Sequence, residues 1–183
     1  VLANEGGILR TSEGGISFDH LRRHVGGILS GLHSLGGRPD RAIVEARVRP
    51  HPLFRELAPD GTPDIRVIIW RSAAVAAMLR LPTAASRGRA NLHQGAVGVG
   101  IDLGAGVTTR GVLGGRAVER HPDTGRPLAG LALPDWPDIL ALSARLGHAL
   151  RLGYVGVDIV LDPDLGPVVL EANARPGLAI QMA

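Results

Sequence analysis

The most regular pattern of hydrophobic and polar positions lies between residues 17 and 35. Apolar side chains recur there at steps of three and four, at Phe18, Leu21, Val25, Ile28, Leu29, Leu32 and Leu35. Because an α-helix turns once every 3.6 residues, this spacing gathers them on one face and predicts a helix packed on that side. Ser17 is suited to the N-cap, and Gly36-Gly37 is expected to stop the helix.

A second helix is predicted after residue 134. Asp135 can cap it, Pro137 is tolerated in the first turn because that N–H has no partner within the helix, and Gly153 is expected to end it. The stripe expected to be buried consists of Ile139, Leu142, Leu146 and Leu150. This spacing again predicts a helix that buries one face.

Short apolar and β-branched runs bounded by Gly, Pro or Asp predict strands. They fall at 6–10, 42–48, 64–70, 74–81 and 96–101, followed by a strand pair around 108–118. The strands at 42–48, 64–70 and 74–81 follow one another and are joined by loops, which indicates a sheet. The segment 82–102 is rich in Gly, Ala, Arg and Asn and is predicted to be an ordered functional loop that leads into a strand, whereas 121–130 is rich in turn residues.

The C-terminal part of the chain is predicted to form a β-hairpin. Two apolar runs at 154–162 and 167–174 flank the sequence Pro-Asp-Leu-Gly at 163–166, in which Pro and Gly favour a turn. If the two strands pair symmetrically about these four residues, Asp162 lies opposite Pro167. This register then fixes which side chains meet across the hairpin.

Three oxygen-bearing side chains converge in this hairpin. The symmetric register places Asp158 opposite Glu171, and the two-residue period of a strand puts Glu171 and Asn173 on one face. Facing carboxylates repel unless a positive charge lies between them, and a divalent cation with oxygen ligands is the obvious candidate. Mg²⁺ fits better than Zn²⁺, which prefers His or Cys. The competing interpretation is a solvated rim, but both acids stand in apolar runs, where an unpaired charge is costly.

Composition narrows the classes of function. The 183 residues are 45% hydrophobic and 20% charged, as in an ordinary soluble globular protein, and one domain is expected. All 20 basic residues are arginine, the net charge is only +3, and aromatic residues are few, which disfavours nucleic-acid binding. The absence of cysteine excludes disulfides and thiolate metal sites. No apolar run approaches the roughly 20 residues of a membrane span, so no membrane contact is predicted, and the absence of cysteine favours a cytoplasmic location.

Residues upstream of the hairpin suit phosphate binding. Asp64 and Arg66 stand in an apolar run, and the sequence Arg-Gly-Arg-Ala-Asn-Leu-His at 87–93 supplies positive charge and hydrogen-bond donors. Taken singly, each is a weak signal, because surface arginines are usually solvated. His121 and His148 show no ligand spacing, no serine has the context of a nucleophile elbow, and the chain has no P-loop sequence.

With these residues, six sequence blocks resemble the ATP-grasp superfamily, specifically its alpha-L-glutamate ligase-like branch related to ribosomal-protein glutamate ligases. The blocks are IVEARV at 43–48, PDIRVII at 63–69, AMLRLPT at 77–83, RANLHQGAVGVG at 89–100, GVDIVLD at 156–162 and GPVVLEANARPGLAIQ at 166–181. The resemblance implies an α+β fold with largely antiparallel sheets and flanking helices. It also implies that residues 1–183 form part of an ATP-grasp nucleotide-binding domain and that a portion of the N-terminal lobe is missing.

The resemblance implies five nucleotide-binding positions. Glu45 and Ala46 match positions at the adenine and ribose edge of ATP, and Asp64 matches a further nucleotide contact. Arg89 and Asn91 match positions at the phosphates. ATP is therefore the implied nucleotide.

The resemblance also implies metal-binding and catalytic positions. Asp158, Glu171 and Asn173 match ligands of Mg²⁺, with Mn²⁺ as an alternative ion. Arg66 and Arg175 are candidates for stabilising negative charge on the transferred phosphoryl group and the acyl phosphate. In this family ATP phosphorylates a carboxylate, and an amine then attacks the acyl phosphate.

The implied partners are a small-molecule or peptide carboxylate and an amine, with no nucleic acid and no membrane. One departure from the family pattern matters, because ATP-grasp proteins usually hold the α- and β-phosphates with lysines of the N-terminal half, and this chain has no lysine. We therefore expect the chain to begin within the domain. The alternative is a non-catalytic ATP-grasp remnant that binds nucleotide or a partner.

Overall fold

The structure, a computed structural model, describes residues 3–5, 8–11, 14–34 and 36–177. The chain divides into two compact units, residues 1–47 and residues 48–183, and each is described by itself. The interpretation of residues 1–183 as one partial domain stays a prediction. None of the helices within the described residues is long and apolar enough to cross a membrane.

The described residues form ten strands, three α-helices and one short 3₁₀ helix. The strands are β1 Ala3–Glu5, β2 Ile8–Thr11, β3 Gly14–Ser17, β4 Asp64–Trp70, β5 Ala73–Leu81, β6 Val97–Asp102, β7 Val107–Leu113, β8 Arg116–Val118, β9 Tyr154–Asp162 and β10 Gly166–Asn173. The α-helices are α1 Phe18–Leu29, α2 Pro52–Leu57 and α3 Trp136–Leu150, and the 3₁₀ helix is Leu92–Gln94.

The first unit contains a three-stranded antiparallel sheet in the order β1-β2-β3, followed by α1. The strand predicted at 6–10 corresponds to β2 where it is described, and residues 6 and 7 lie outside the described residues. The sequence analysis did not predict β1 or β3, which are only three and four residues long.

Helix α1 begins where the sequence predicts but ends earlier. Ser17 is the N-cap, and its hydroxyl oxygen accepts a hydrogen bond from the backbone N–H of His20 at 3.2 Å. The helix ends at Leu29, and Gly31 follows with a φ of 82°, in the left-handed region that commonly terminates helices. The predicted extension beyond residue 30 is therefore wrong, and Leu35 itself lies outside the described residues.

Residues 42–48 do not form the predicted strand. They adopt neither helix nor strand, and Ile43 and Val44 are 82% and 92% exposed. β-branched residues favour a strand only where a neighbouring strand and a packed face are available, so their propensity alone is a weak guide. This prediction is wrong for that reason.

The second unit contains a seven-stranded sheet in the order β10-β9-β4-β5-β6-β7-β8, with every neighbouring pair antiparallel. The strands predicted at 64–70, 74–81 and 96–101 correspond to β4, β5 and β6 to within one residue, and the pair around 108–118 corresponds to β7 and β8. The antiparallel sheets and separate helices confirm the α+β class.

Alternate residues of β4 face opposite sides of this sheet. Ile65, Val67 and Ile69 are fully buried in the main hydrophobic core, to which α3 also contributes. Asp64 and Arg66 therefore lie on the other face. The same alternation on β5 and β9 brings further charged residues to that face.

Helix α3 confirms the second predicted helix, but not its cap, and it ends at Leu150, which is 42% exposed rather than part of a buried stripe. Asp135 has a φ of 53° and makes no side-chain hydrogen bond to the first turn. The entry to the helix is held instead by Trp136, whose Nε1–H donates to the carbonyl of Leu103 at 2.9 Å. The helix approaches the sheet closely at Gly147, where a Cβ atom would lie 2.7 Å from Cγ2 of Ile69.

Candidate functional site

The β9–β10 hairpin pairs Asp158 with Glu171, as predicted, but through a different register. Asp162 lies opposite Gly166 rather than Pro167, so the assumed pairing at the turn is wrong by one residue. The pairing then shifts at a bulge just before Glu171. This inserted residue offsets the error at the turn, and the two carboxylates meet.

The turn has this register because Asp162 closes it. Oδ1 of Asp162 accepts hydrogen bonds from the backbone N–H groups of Asp164 at 2.9 Å and Leu165 at 3.2 Å. Gly166 follows with a φ of 71°, which glycine adopts without steric cost. The three-residue loop 163–165, followed by this left-handed glycine at the start of β10, replaces the symmetric four-residue turn.

The bulge decides which face of the sheet carries the predicted ligands. Side chains alternate along a strand, so one inserted residue moves all later side chains to the opposite face. The inserted residue is Leu170, which is 46% exposed. Beyond it, Nδ2 of Asn173 donates to Oε1 of Glu171 at 2.8 Å. Glu171 and Asn173 therefore lie together beside Asp158.

Two arginines surround Asp158. Arg66, opposite it on β4, donates through Nε to Oδ1 at 2.7 Å and through Nη2 to Oδ2 at 2.6 Å. Arg80 on β5 donates through Nη2 to the same Oδ2 at 2.7 Å. Because Asp158 is only 2% exposed, these charge-assisted bonds supply the positive charge that this buried carboxylate requires.

Arg80 also binds Asp64, which the sequence analysis predicted to contact nucleotide. Nε and Nη2 of Arg80 donate to the two carboxylate oxygens of Asp64 at 2.5 and 2.6 Å. Both residues are buried, with 9% and 5% of their surface exposed. Arg66, Asp158, Arg80 and Asp64 thus form a continuous ion-pair cluster across β9, β4 and β5, and a nucleotide contact for Asp64 stays a prediction.

The two carboxylates of the ion-pair cluster have opposite pKa shifts. Burial raises the pKa of Asp64 to about 6, and the hydrogen bond and charge of Arg80 lower it only in part. For Asp158, burial raises the pKa, but the hydrogen bond from Arg66 and the charges of Arg80 and Arg66 outweigh it and hold the pKa below its ordinary value. The carboxylate shared by two arginines is therefore the more strongly ionised of the pair.

The donor set beside the ion-pair cluster suits Mg²⁺. Glu171 has a side chain that is 61% exposed, and its Oε1 lies 3.9 Å from Nη2 of Arg66. Carboxylate and amide oxygens are ligands that Mg²⁺ accepts, and this ion commonly uses only one or two protein carboxylates together with water and phosphates. Glu171 and Asn173 meet this requirement. Within the described residues, no group of three His, Asp or Glu side chains is placed to hold a metal ion.

Asp158 differs from the other two predicted metal ligands in this structure. Its two oxygens already accept three hydrogen bonds from Arg66 and Arg80. A carboxylate offers about four lone-pair positions, so little capacity is left for a cation unless an arginine moves. A metal-ligand role for Asp158 stays a prediction.

The predicted phosphate-binding residues lie on the loop between β5 and β6. Arg89 and Asn91 are exposed on this segment, hereafter the 82–95 loop. Oδ1 of Asn91 accepts the backbone N–H of His93 at 3.0 Å and caps the 3₁₀ helix. Asn91 is therefore part of the loop's own architecture, and its predicted contact to phosphate is untested by the geometry.

The remaining predicted site residues, Glu45, Ala46 and Arg175, lie outside the strands that carry the ion-pair cluster. Glu45 and Ala46 are exposed residues of the first unit, in a segment without regular secondary structure. Arg175 is exposed two residues beyond Asn173. Pro176 follows it and is buried against Gly156, where a Cβ atom would lie 2.6 Å from Cβ of the proline. Their predicted roles stay predictions.

Arg80 is the residue of the site that sequence analysis missed. The signal was present, because Arg80 stands in the apolar run AMLRL just as Asp158 stands in GVDIV. A charged residue inside a buried strand requires a partner. Asp158 was singled out on that argument, whereas Arg80 was read only as part of a strand.

A separate groove of about 450 Å³ lies at the other edge of the seven-stranded sheet. It is lined by β7, β8 and the segment 127–129, including Arg110 and Arg120. None of its lining residues belongs to the ion-pair cluster or the hairpin. We therefore place the candidate site on geometry and charge rather than on cavity size.

Comparison with known protein families and solved structures assigns this chain to a family. The whole chain, residues 1–183, matches the family described as sugar-transfer associated ATP-grasp. Among solved structures, it is similar to the ATP-grasp ligase PsnB complexed with a minimal precursor, with 13% sequence identity and a TM-score of 0.34. That similarity covers 93% of this chain and 45% of the other, so the chain spans less than half the length of that ligase. No protein with a curated description matches.

The family match decides part of the sequence-based resemblance. It confirms the ATP-grasp superfamily, whereas the glutamate ligase-like branch stays a prediction. The match extends over every residue of the sequence, including the blocks that carried the resemblance. The chain belongs to the sugar-transfer associated ATP-grasp family.

Proposed function

We propose that this chain is the nucleotide- and metal-binding part of an ATP- and Mg²⁺-dependent ligase that joins a carboxylate to an amine through an acyl phosphate. The observation that carries the proposal is the placement of Glu171 and Asn173 beside a buried cluster of two arginines and two aspartates. Membership of the ATP-grasp family supports it. A glutamate-type acid is the first candidate substrate.

The charge of the site supports a requirement for a cation. The two arginines and two aspartates of the ion-pair cluster cancel, and Glu171 adds one negative charge. The carboxylate of Glu171 would repel the phosphates of ATP at short range unless a cation lies between them. When bound, Mg²⁺ neutralises charge on the phosphates and orients them. Glu171 and Asn173 are the residues that would hold it.

The chemistry asks the protein for position and charge rather than for a covalent nucleophile. A carboxylate oxygen attacks the γ-phosphorus of ATP, forming the acyl phosphate and releasing ADP. The amine then attacks the acyl carbon, loses a proton, and expels phosphate. Arg66, fixed by its bidentate bond to Asp158, is the proposed stabiliser of charge on the transferred phosphoryl group, and Arg175 is a second candidate at the acyl phosphate.

The proposal is tested with the full-length protein, ATP, Mg²⁺, hydroxylamine and a panel of acids. The panel contains glutamate, short acidic peptides and, because the family is described as sugar-transfer associated, uronic acids. A ligase of this kind releases phosphate and forms a hydroxamate only when its acid is present, because hydroxylamine intercepts the acyl phosphate. No turnover across the panel would count against the proposal.

The absence of lysine favours one competing function, an ATP-grasp remnant that binds nucleotide without catalysis. Such a protein would bind Mg·ATP and yet form no hydroxamate with any acid. The sequence of the full-length protein separates the two functions at little cost, if it contains residues before Val1. A lysine within an apolar strand there would favour the ligase.

A further inference from the structure

The turn at 121–125, with the sequence His-Pro-Asp-Thr-Gly, reaches across the fold to the 82–95 loop. His121 is 1% exposed, and its Nε2 lies 2.9 Å from the carbonyl oxygen of Pro82. Nδ1 of the same ring accepts the backbone N–H of Asp123 at 3.3 Å. With Nδ1 occupied as an acceptor, the proton belongs on Nε2, and the ring donates to Pro82.

A second bond from the same turn holds the next part of the loop. Oδ2 of Asp123 accepts the backbone N–H of Ala84 at 2.8 Å. The turn itself is closed by a hydrogen bond from the N–H of Gly125 to the carbonyl of His121 at 2.8 Å. The 121–125 turn is therefore hydrogen-bonded to the start of the 82–95 loop at two points, to Pro82 through His121 and to Ala84 through Asp123.

The 121–125 turn is itself bonded to helix α2. Oγ1 of Thr124 donates to the carbonyl of Leu57 at 3.0 Å. Nη2 of Arg126 lies 3.0 Å from Oε2 of Glu56. Leu57 is buried in the main core, so the 121–125 turn connects the loop to the core of the second unit.

Hydrogen bonds within the 82–95 loop connect its anchored start to its later polar residues. Thr83 and Ser86 are buried and exchange hydrogen bonds, from the N–H of Thr83 to Oγ of Ser86 at 2.9 Å and from the N–H of Ser86 to Oγ1 of Thr83 at 3.1 Å. The N–H of Arg89 then donates to the carbonyl of Ser86 at 3.2 Å. Oγ1 of Thr83 also donates to the carbonyl of Gly95, which ties the two ends of the loop together.

We propose that His121 and Asp123 are positioning residues that hold the 82–95 loop so that Arg89 and Asn91 reach the β- and γ-phosphates of a nucleoside triphosphate. The inference rests on the proposed function, because it takes the loop to bind phosphate. It assigns a role to a histidine that sequence spacing left without one. His121 and Asp123 act through Pro82 and Ala84 and do not themselves touch the nucleotide.

The test compares Asp123→Ala with Asp123→Asn in the full-length protein. Alanine removes the acceptor for the N–H of Ala84, whereas the asparagine carbonyl oxygen keeps it. We expect Asp123→Ala to weaken Mg·ATP binding about tenfold, the scale of one lost hydrogen bond that fixes a binding group, and to leave AMP binding within about twofold. Asp123→Asn should remain within about twofold of the wild type for both nucleotides.

A second readout is independent of nucleotide. Amide hydrogen exchange in the nucleotide-free protein should accelerate at Ala84 and along the loop in Asp123→Ala but not in Asp123→Asn. Asp102→Ala is the matched control, since Oδ1 of Asp102 accepts the N–H groups of Gly104 and Ala105 in a different loop. Its exchange should change locally while Mg·ATP affinity stays unchanged.

The outcomes separate the two proposals. Unchanged exchange of the loop in Asp123→Ala, or equal weakening of ATP and AMP, would overturn the positioning role of Asp123. A wild-type protein that binds no Mg·ATP would contradict the proposed function, and the role of the loop in phosphate binding would fall with it. For His121, His121→Gln can retain a donor to Pro82 and should weaken Mg·ATP binding less than His121→Phe, and the reverse order would overturn its role.

Discussion

Asp64 and Asp158 show how strongly the second partner of a buried carboxylate matters. Both are buried in β-strands, and both bind Arg80. Asp158 gains a bidentate bond from Arg66 as well, and its pKa falls below the ordinary value, whereas burial raises the pKa of Asp64 to about 6. Asp158, the carboxylate that faces Glu171, therefore binds two arginines, whereas Asp64 binds one.

This asymmetry predicts how stability depends on pH. The folded pKa of Asp64, about 6, lies above its ordinary value near 3.8, so between these pH values the folded state retains a proton that the unfolded state has lost. Asp64 therefore contributes most to the free energy of unfolding below pH 3.8. This contribution decreases as the pH rises from 3.8 to about 6, by at most about 3 kcal/mol in total. Asp158 acts in the opposite direction, because its stabilising contribution is lost as the pH falls through its lowered pKa.

The measurement is urea unfolding of the wild type and Asp64→Asn at pH 4, 5, 6 and 7. As the pH rises from 4 to 7, the free energy of unfolding of the wild type should decrease relative to that of Asp64→Asn, because only the wild type has a carboxyl group at this position. A constant difference between the two proteins would show that Asp64 does not titrate near pH 6.

At this scale, the sequence predicted the acids better than their partners. Asp158, Glu171 and Asn173 could be found because the predicted hairpin pairs Asp158 with Glu171 and the two-residue period of a strand puts Glu171 and Asn173 on one face. Arg80 could not be paired with Asp64 and Asp158 without the strand order β9-β4-β5, which depends on contacts between segments far apart in the chain. The positive charge expected between the carboxylates was therefore assigned to a metal ion, whereas Nη2 of Arg66 lies 2.6 Å from Asp158 and 3.9 Å from Glu171.

At the scale of elements, the hairpin shows why a correct pairing can rest on a wrong register. The sequence shows that a turn lies near residues 163–166, but not that Asp162 closes a three-residue loop or that Leu170 forms a bulge. Each departure shifts the pairing by one residue, and they cancel at Asp158 and Glu171. Bulges depend on the fit of two strands, so a hydrophobic pattern in one of them does not predict the position.

The contact between α3 and the sheet predicts an unusual response to alanine. Alanine favours helix over glycine by about 1 kcal/mol, but a Cβ on Gly147 would lie 2.7 Å from Cγ2 of Ile69. Overpacking of this kind costs about 1–3 kcal/mol, so we expect Gly147→Ala to lower the free energy of unfolding. Trp136 reports the change by fluorescence, because it lies buried at the start of α3.

Gly26→Ala is the matched control, because Gly26 also lies within a helix and its Cβ would meet nothing within 4 Å. Circular dichroism should show no loss of stability in this variant, because alanine favours helix over glycine and its Cβ would meet no atom. If Gly147→Ala stabilised the protein as helix propensity alone predicts, the close approach of α3 to the sheet would be wrong.

At the scale of the whole molecule, the second unit by itself contains the ion-pair cluster, the 82–95 loop and the β9–β10 hairpin. Two of the predicted nucleotide contacts, Glu45 and Ala46, belong to the first unit. The proposed contacts to metal and phosphate therefore lie in the second unit, whereas the contacts of Glu45 and Ala46 to adenine and ribose stay predictions. Catalysis is proposed for the full-length protein.

The most direct test of this account is calorimetric titration of ATP, with and without Mg²⁺, into the wild-type protein, Glu171→Gln and Glu119→Gln. Glu171→Gln removes the charge beside Asn173 and should not unfold the protein, since the side chain is 61% exposed. Glu119 is exposed and lies outside the site, so Glu119→Gln controls for a change of net charge.

We expect Mg²⁺ to strengthen ATP binding to the wild type and to Glu119→Gln, and Glu171→Gln to lose about tenfold or more of that affinity, as is typical of a damaged metal site. The affinity without Mg²⁺ should fall little or even rise in Glu171→Gln, because one negative charge is removed. Unchanged Mg²⁺-dependent affinity in Glu171→Gln would contradict the assignment of the hairpin as the place where metal and phosphate meet.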